Sequence, residues 1–151
     1  MQRMLVTRIG SRNAGWLTGD LAEVVATPRL FPLPFPLPYL RGTAFRRGKL
    51  VTVVDSHAFM GERASDHDGG LMLRLAQPLS HLAFLVPSVE AVIPYADLNL
   101  REDDAEGSWA GLYPWEDLWV NVIKPSAAAS ELSRALATAI HQLGAGRDHA
   151  S

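Results

Sequence analysis

Few side chains in this sequence are of the type and spacing that chemistry requires. Asp55-Ser56-His57 brings an acid, a hydroxyl and an imidazole together. Three consecutive residues cannot make a nucleophilic triad, whose members must converge from separate elements, and no G-x-S-x-G turn surrounds any serine. Asp66-His67-Asp68, with Glu62 and His57 upstream, offers carboxylate and imidazole donors of the kind that hold zinc or a related cation. The competing reading is a solvated loop, because the stretch ERASDHDGG is polar and ends in two glycines. Asp103, Asp104 and Glu106 share one loop, where like charges repel and stay in water, and His81 and His141 stand alone. With no cysteine there is no thiolate nucleophile, no disulfide and no cysteine-based zinc site, and the composition fits a reducing compartment. The expectation is a protein without catalysis, metal or cofactor. A metal-dependent small-molecule binder or enzyme using Asp55, His57, Asp66, His67 and Asp68 stands as its alternative.

A basic group, Arg41, Arg46, Arg47 and Lys49, is interleaved with Tyr39 and Phe45. Small barrels bind single-stranded nucleic acid through such surfaces, which makes a single-strand binder a second alternative. Against it stands a formal net charge of −2, with no recognition signature elsewhere, so no nucleic-acid partner is expected. Two readings of Arg46-Arg47-Gly48 remain open: solvated turn residues, or the edge of a docking surface.

The elements that position these residues read mainly as strands. An apolar fraction of 48% and a charged fraction of 20% describe a globular chain with a sizeable core. No leader-like apolar segment opens the sequence and no run of about 18 apolar residues follows, so no membrane insertion is expected. Met4 to Ile9 and Gly15 to Thr18 read as strands. Asp20 to Ala26 alternates as a half-buried strand, with Leu21 and Glu23 on one face and Ala22 and Val24 on the other; a short helix competes. Five prolines from Pro28 to Pro38 exclude a helix or a central strand and predict an extended crossing, with Leu30, Phe31, Leu33, Phe35 and Leu37 available to pack. Gly42 to Phe45 and Leu50 to Val54 form a hairpin around Arg46-Arg47-Gly48-Lys49. A helical turn follows from Ser56 to Met60, capped by Asp55 or Ser56. Strands are predicted at Leu71 to Leu75, Leu82 to Val86, Ser88 to Pro94 and Leu118 to Ile123. A helix from about 126 to 143 follows, with Leu132, Leu136, Ala139, Ile140 and Leu143 on one stripe, Ser126 or Ser130 as cap, and a frayed tail over 144–151. GKLVTVVDS and EDLWVNVIKP echo each other as an apolar strand leading into a helix start, which suits a duplicated small barrel.

The order of these signals resembles the CheW-like family of chemotaxis coupling proteins. The matching stretch is EVVATPRLFPLPFPLPYLRGTAFRRGKLVTVVDSHAFMG, Glu23 to Gly61, where Glu23-Val24, Pro32 to Pro34, Gly42, Arg47-Gly48 and Asp55 follow the family's order. LRLAQPLSHLAFLVPSVEAVIP matches more loosely. The chain departs from the family at Phe45-Arg46-Arg47-Gly48 in place of Asn-Leu-Arg-Gly, at Thr52 in place of proline, at Ser56 in place of leucine and at Pro87 in place of aspartate. The resemblance implies one domain over 1–151 made of two intertwined five-stranded SH3-like barrels, with a boundary near 62–70 and a C-terminal helix. It implies a non-catalytic cytoplasmic adaptor between methyl-accepting chemoreceptors, through their helical tip, and the regulatory domain of a CheA-type histidine kinase. A related chemosensory or pilus-linked system would use the same build. Arg47 is the partner-binding residue it carries over, with Glu23 in support and Phe45, Arg46 and Val24 beside them.

Overall fold

The computed structural model describes residues 2–34, 37–63 and 70–150, of which 104 and 143–150 by backbone alone. Asp66, His67 and Asp68 of the loop ERASDHDGG lie outside the described residues, as do Phe35 and Pro36 of the proline-rich crossing. Among the described residues ten strands form two five-stranded sheets. The first has the order β8-β1-β2-β10-β9 and the second β3-β6-β7-β5-β4, with β1 at Arg3–Ile9, β2 at Arg12–Leu17, β3 at Leu21–Ala26, β4 at Leu40–Arg46, β5 at Lys49–Asp55, β6 at Leu71–Leu75, β7 at Leu82–Val86, β8 at Val89–Pro94, β9 at Trp109–Trp115 and β10 at Leu118–Ile123. The chain is thus mainly β. No helix among the described residues is long and apolar enough to cross a membrane.

Strand character follows sheet position. β1 lies between β8 and β2 and is buried on both faces from Met4 to Thr7, which is why it reads as a continuous apolar run. β3 is an edge strand and alternates strictly, with Leu21, Glu23 and Val25 turned inward. Its pairing with β6, Glu23 opposite Arg74 and Val25 opposite Met72, decides for strand over helix. β9 has no counterpart among the sequence expectations, because Gly111 and Pro114 look like breakers. It too is an edge strand, where a missing N–H costs no ladder bond on the open side.

The two sheets are intertwined. Hairpin β1–β2 joins the sheet of β8 to β10, and β6–β7 joins the sheet of β3 to β5, through parallel pairings of β2 with β10 and β7 with β5. The chain crosses between sheets at the 3-10 turn Thr18–Asp20 and again at Pro87-Ser88. The strands on either side of 62–70, β5 and β6, belong to one sheet. Among the described residues, backbone pairing leaves each sheet open at its outer strands, so the SH3-like units are not hydrogen-bonded rings.

One apolar cluster spans both sheets. Leu5, Ile9, Ala14 and Trp16 from the first pack with Val54, Leu73, Leu75 and Phe84 from the second. Trp16 and Phe84 meet at 5.4 Å between ring centroids, and Phe59 and Tyr39 extend the chain of rings. Trp16 Nε1–H donates to Thr7 Oγ1 at 2.9 Å, so the buried indole keeps a partner. Helix α2 (Pro125–Ala150) seats Ala128 and Leu132 in the same cluster. Pro125 opens it, as a residue without an N–H suits that position. Ser126 lies inside the helix and Ser130 Oγ–H donates back to Ser126 O, so neither serine is the cap expected of it. Ile140, assigned to the buried stripe, is exposed, and the side chain of Leu143 is outside the described set. The helix also continues through Gly144 and Gly146 where a frayed tail is expected. A helical glycine costs about 1 kcal/mol against alanine, which weakens a helix without stopping it.

The echo between the two halves is structural. β4 and β9 share one burial pattern. Gly42 and Gly111 stand at the same place in each, with φ of 138° and 149°. A β carbon on either would run into a carbonyl oxygen, that of Phe31 or of Arg101. Those two residues make the matching bridges, Phe31 to Thr43 and Arg101 to Leu112, by which a strap lies along each edge strand.

Candidate docking site

The β4–β5 hairpin turns through Arg47 and Gly48, with Arg46 opposite Lys49. Both turn residues have positive φ, 51° and 77°, the backbone of a two-residue hairpin turn that glycine, asparagine and aspartate adopt most readily. An arginine at the first position is conformationally costly. Its side chain is exposed and makes no hydrogen bond or ion pair among the described residues.

Arg46 behaves differently. Its Nε–H donates to Glu23 Oε1 at 2.7 Å and an Nη2–H to Oε2 at 3.0 Å, a bidentate pair. Arg74 Nε–H donates to Glu23 Oε1 at 2.9 Å. Glu23 keeps 13% of its side chain exposed. The Arg46 hydrogen bonds hold its carboxyl at about 2, helped by Arg74 and opposed by burial. β3 and β4 are the two outer strands of their sheet, so this ion pair closes with side chains what the backbone leaves open. In the other sheet the equivalent places are taken by Ala91, Trp115 and Val6, which pack in an apolar cluster.

Around the tip the outer face is apolar. Phe45 and Leu50, opposite each other in the ladder, are exposed. Phe31 meets Phe45 edge-on at 6.1 Å, and the Arg29 guanidinium lies over Phe31 at 5.4 Å. Val24 is exposed on the outer face of β3. Of the expected site residues, the structure therefore joins Glu23 to Arg46 directly, leaves Arg47 and Phe45 at the free tip, and puts Val24 on the opposite edge strand. Leu50 and Phe31 escaped the sequence reading because both look like core residues; only the ladder partner and the strap reveal that they face outward.

Asp55, Ser56 and His57 take structural roles. Asp55 is buried, accepts the Ala58 N–H at the start of helix α1 (Ser56–Phe59) and pairs with Arg41 at 3.4 Å. Ser56 Oγ–H donates to Leu85 O at 2.6 Å, while His57 Nε2 lies 3.2 Å from Arg8 O. The three side chains point to three different places. Among the described residues no three His, Asp or Glu side chains gather as a metal-holding group. The basic group is likewise divided, Arg41 towards Asp55 and Arg46 towards Glu23, rather than forming a stripe. A cavity of about 400 Å³ lies where the sheets meet, lined in part by Leu17, Asp20, Gln77, Tyr95 and Lys124. Burial raises the Asp20 carboxyl, and burial with the Asp97 charge pushes the Tyr95 phenol up to about 12. Its walls come from crossing segments far apart in sequence, so no local pattern announces it.

No protein-family model matches the chain, and no curated protein sequence matches it. Among solved structures, the crystal structure of the scaffolding protein TtCheW from Thermoanaerobacter tengcongensis superposes with a TM-score of 0.71 at 18% identity, covering 82% of this chain and 84% of that one. Two intertwined five-stranded sheets with a C-terminal helix, in this order and over this length, give the chain the fold of a CheW scaffolding protein.

Proposed function

We propose that this chain is a non-catalytic cytoplasmic adaptor that couples the helical tip of a methyl-accepting chemoreceptor to the regulatory domain of a CheA-type histidine kinase. A chemotaxis, related chemosensory or pilus-linked system would employ it alike. The observation that carries the reading is the fold shared over four-fifths of the chain with a protein described as a scaffold. The hairpin supports it. An exposed arginine stands at a left-handed backbone position that glycine or asparagine adopts most readily. Arg47 is the polar contact, Phe45 and Val24 supply apolar contact, and Glu23 with Arg46 fixes the edge that presents them.

Calorimetric titration with the kinase regulatory domain tests the proposal. Saturable 1:1 binding is expected, weakened at least tenfold by Arg47→Glu with no loss of thermal stability. Absence of binding by the unaltered chain would sink the adaptor reading.

A further inference from the structure

The structural repeat fixes which residues of the two units correspond. Gly42 and Gly111 share one place, and at the hairpin tips Arg47 and Glu116 share a left-handed backbone, with φ of 51° and 53°. The tips themselves are opposite in charge, Arg47 and Lys49 against Glu116 and Asp117. One residue before the glycines, Arg41 corresponds to Ala110. At the far end of the hairpins Asp55 corresponds to Lys124, each the residue before a helix. Thr27 likewise corresponds to Tyr95: Thr27 N–H donates to Gly70 O and Tyr95 N–H to Gln2 O, both at 3.0 Å.

These residues surround an equivalent place in each unit, and the two places differ in content. In the unit of the second sheet, Thr27, Arg41 and Asp55 line a space of about 20 Å³, where Arg41 pairs with Asp55 at 3.4 Å. In the unit of the first sheet, Tyr95, Ala110 and Lys124 line the cavity of about 400 Å³. Alanine in place of arginine removes the side chain that fills the other unit. Lysine in place of aspartate turns the charge before the helix from negative to positive. A concave space of this size, with an apolar wall and a few charged groups, has the dimensions of a small-molecule site.

The charged groups of the cavity are available to a ligand. Among the described residues neither Lys124 nor Asp20 makes a side-chain hydrogen bond or ion pair. Asp20 is half-buried, and burial without a cation raises its carboxyl. A third charge on the wall, Asp97, is engaged by the Tyr95 phenol. Leu79 and Leu100 supply apolar surface. An anion alone would meet the Asp20 carboxylate, and a cation alone the Lys124 ammonium. A molecule carrying both charges satisfies the two at once.

We propose that the cavity binds an α-amino acid with an apolar side chain. Its carboxylate pairs with Lys124 at the start of α2, where the helix dipole also favours an anion, and its ammonium pairs with Asp20. Its side chain takes the volume that Arg41 fills in the other unit.

Titration of the isotope-labelled full chain with L-leucine and L-phenylalanine, each to about 10 mM, tests the proposal by heteronuclear nuclear magnetic resonance. Saturable shifts are expected at the amides of Asp20, Leu79 and Lys124. Isopentylamine and isocaproate, which each lack one of leucine's two charges, should bind at least about tenfold more weakly. Ala110→Arg with Lys124→Asp rebuilds in the cavity the ion pair of the other unit; it should keep the fold and abolish the shifts. Should that variant fail to fold, Lys124→Gln and Asp20→Asn must each weaken leucine binding at least about tenfold with the melting temperature unchanged. Absence of saturable shifts with both amino acids overturns the proposal. So do shifts confined to other surfaces, equal binding of the amine or the acid alone, or undiminished binding by the filled variant.

Discussion

Neighbouring arginines in one turn have opposite fates, and the difference lies in side-chain direction. Arg46 is the last residue of β4 and points inward with Ala44, where the Glu23 carboxylate meets it. One position further on the backbone turns left-handed and Arg47 projects into water. Replacing Glu23 by glutamine is expected to destabilise the fold by about 2 kcal/mol at neutral pH, since charge-assisted bonds from two arginines are lost. The effect depends on pH. The folded carboxyl titrates at about 2 against 4.5 when unconstrained, so its stabilisation is fully present above about 4.5 and is lost as pH falls towards 2. Denaturant unfolding of both proteins across that window should therefore show the two curves converging in acid; a constant gap would mean the pair contributes through packing instead. Arg47→Gly should act the other way, raising stability by about 0.5–1 kcal/mol by relieving the left-handed backbone while weakening partner binding. If the melting temperature drops, Arg47 has a structural role that its exposed position does not reveal.

At the scale of elements, the repeated unit is edge strand, hairpin and strap. Its glycine is required twice over, by a φ that L-residues avoid and by the carbonyl of the strap lying where a β carbon would be. Gly42→Ala and Gly111→Ala are each expected to cost about 2–3 kcal/mol or more, measured by denaturant unfolding. Equal losses at the two sites would mark the strap as a true repeat, and a silent substitution at either would show that its strap is dispensable. The two units solve the same closure differently: Glu23, Arg46 and Arg74 in one, Ala91, Trp115 and Val6 in the other. Ionic closure demands matched partners, so losing one member leaves charge in a partly buried place. Apolar closure demands only volume.

For the whole molecule, the interleaving of β1–β2 and β6–β7 means that neither sheet can form without chain from both halves. Trp16 and Phe84, one from each sheet, share a single core with helix α2. Heat or denaturant should accordingly unfold both sheets in one transition, with tryptophan fluorescence and far-ultraviolet circular dichroism giving coincident curves. Two separated steps would show that the sheets are independent. The fold and the pattern of exposed charge were legible to different degrees. Strands β1, β3, β5, β6, β7, β8 and β10 follow from alternation and β-branched runs, and Asp55 as a helix cap follows from its place before Ser56. Edge strand β9 was hidden by the glycine and proline that only an edge tolerates. The continuation of α2 through Gly144 was hidden because glycine is a weak stop.

What the sequence determined by itself was local: which segments extend, where the chain turns, and that the stretch from Glu23 to Gly61 follows a recognisable order of strand, proline crossing, hairpin and cap. These depend on covalent geometry and near-neighbour patterning, which each segment carries with it. Tertiary structure alone decided that Arg46 rather than Arg47 closes the sheet on Glu23, that Asp55, Ser56 and His57 serve three separate supports, and that two hairpins distant in sequence stand in equivalent places with opposite charge. Those outcomes depend on which strands become neighbours, and partners brought together across the whole chain leave no signal in any one stretch of it.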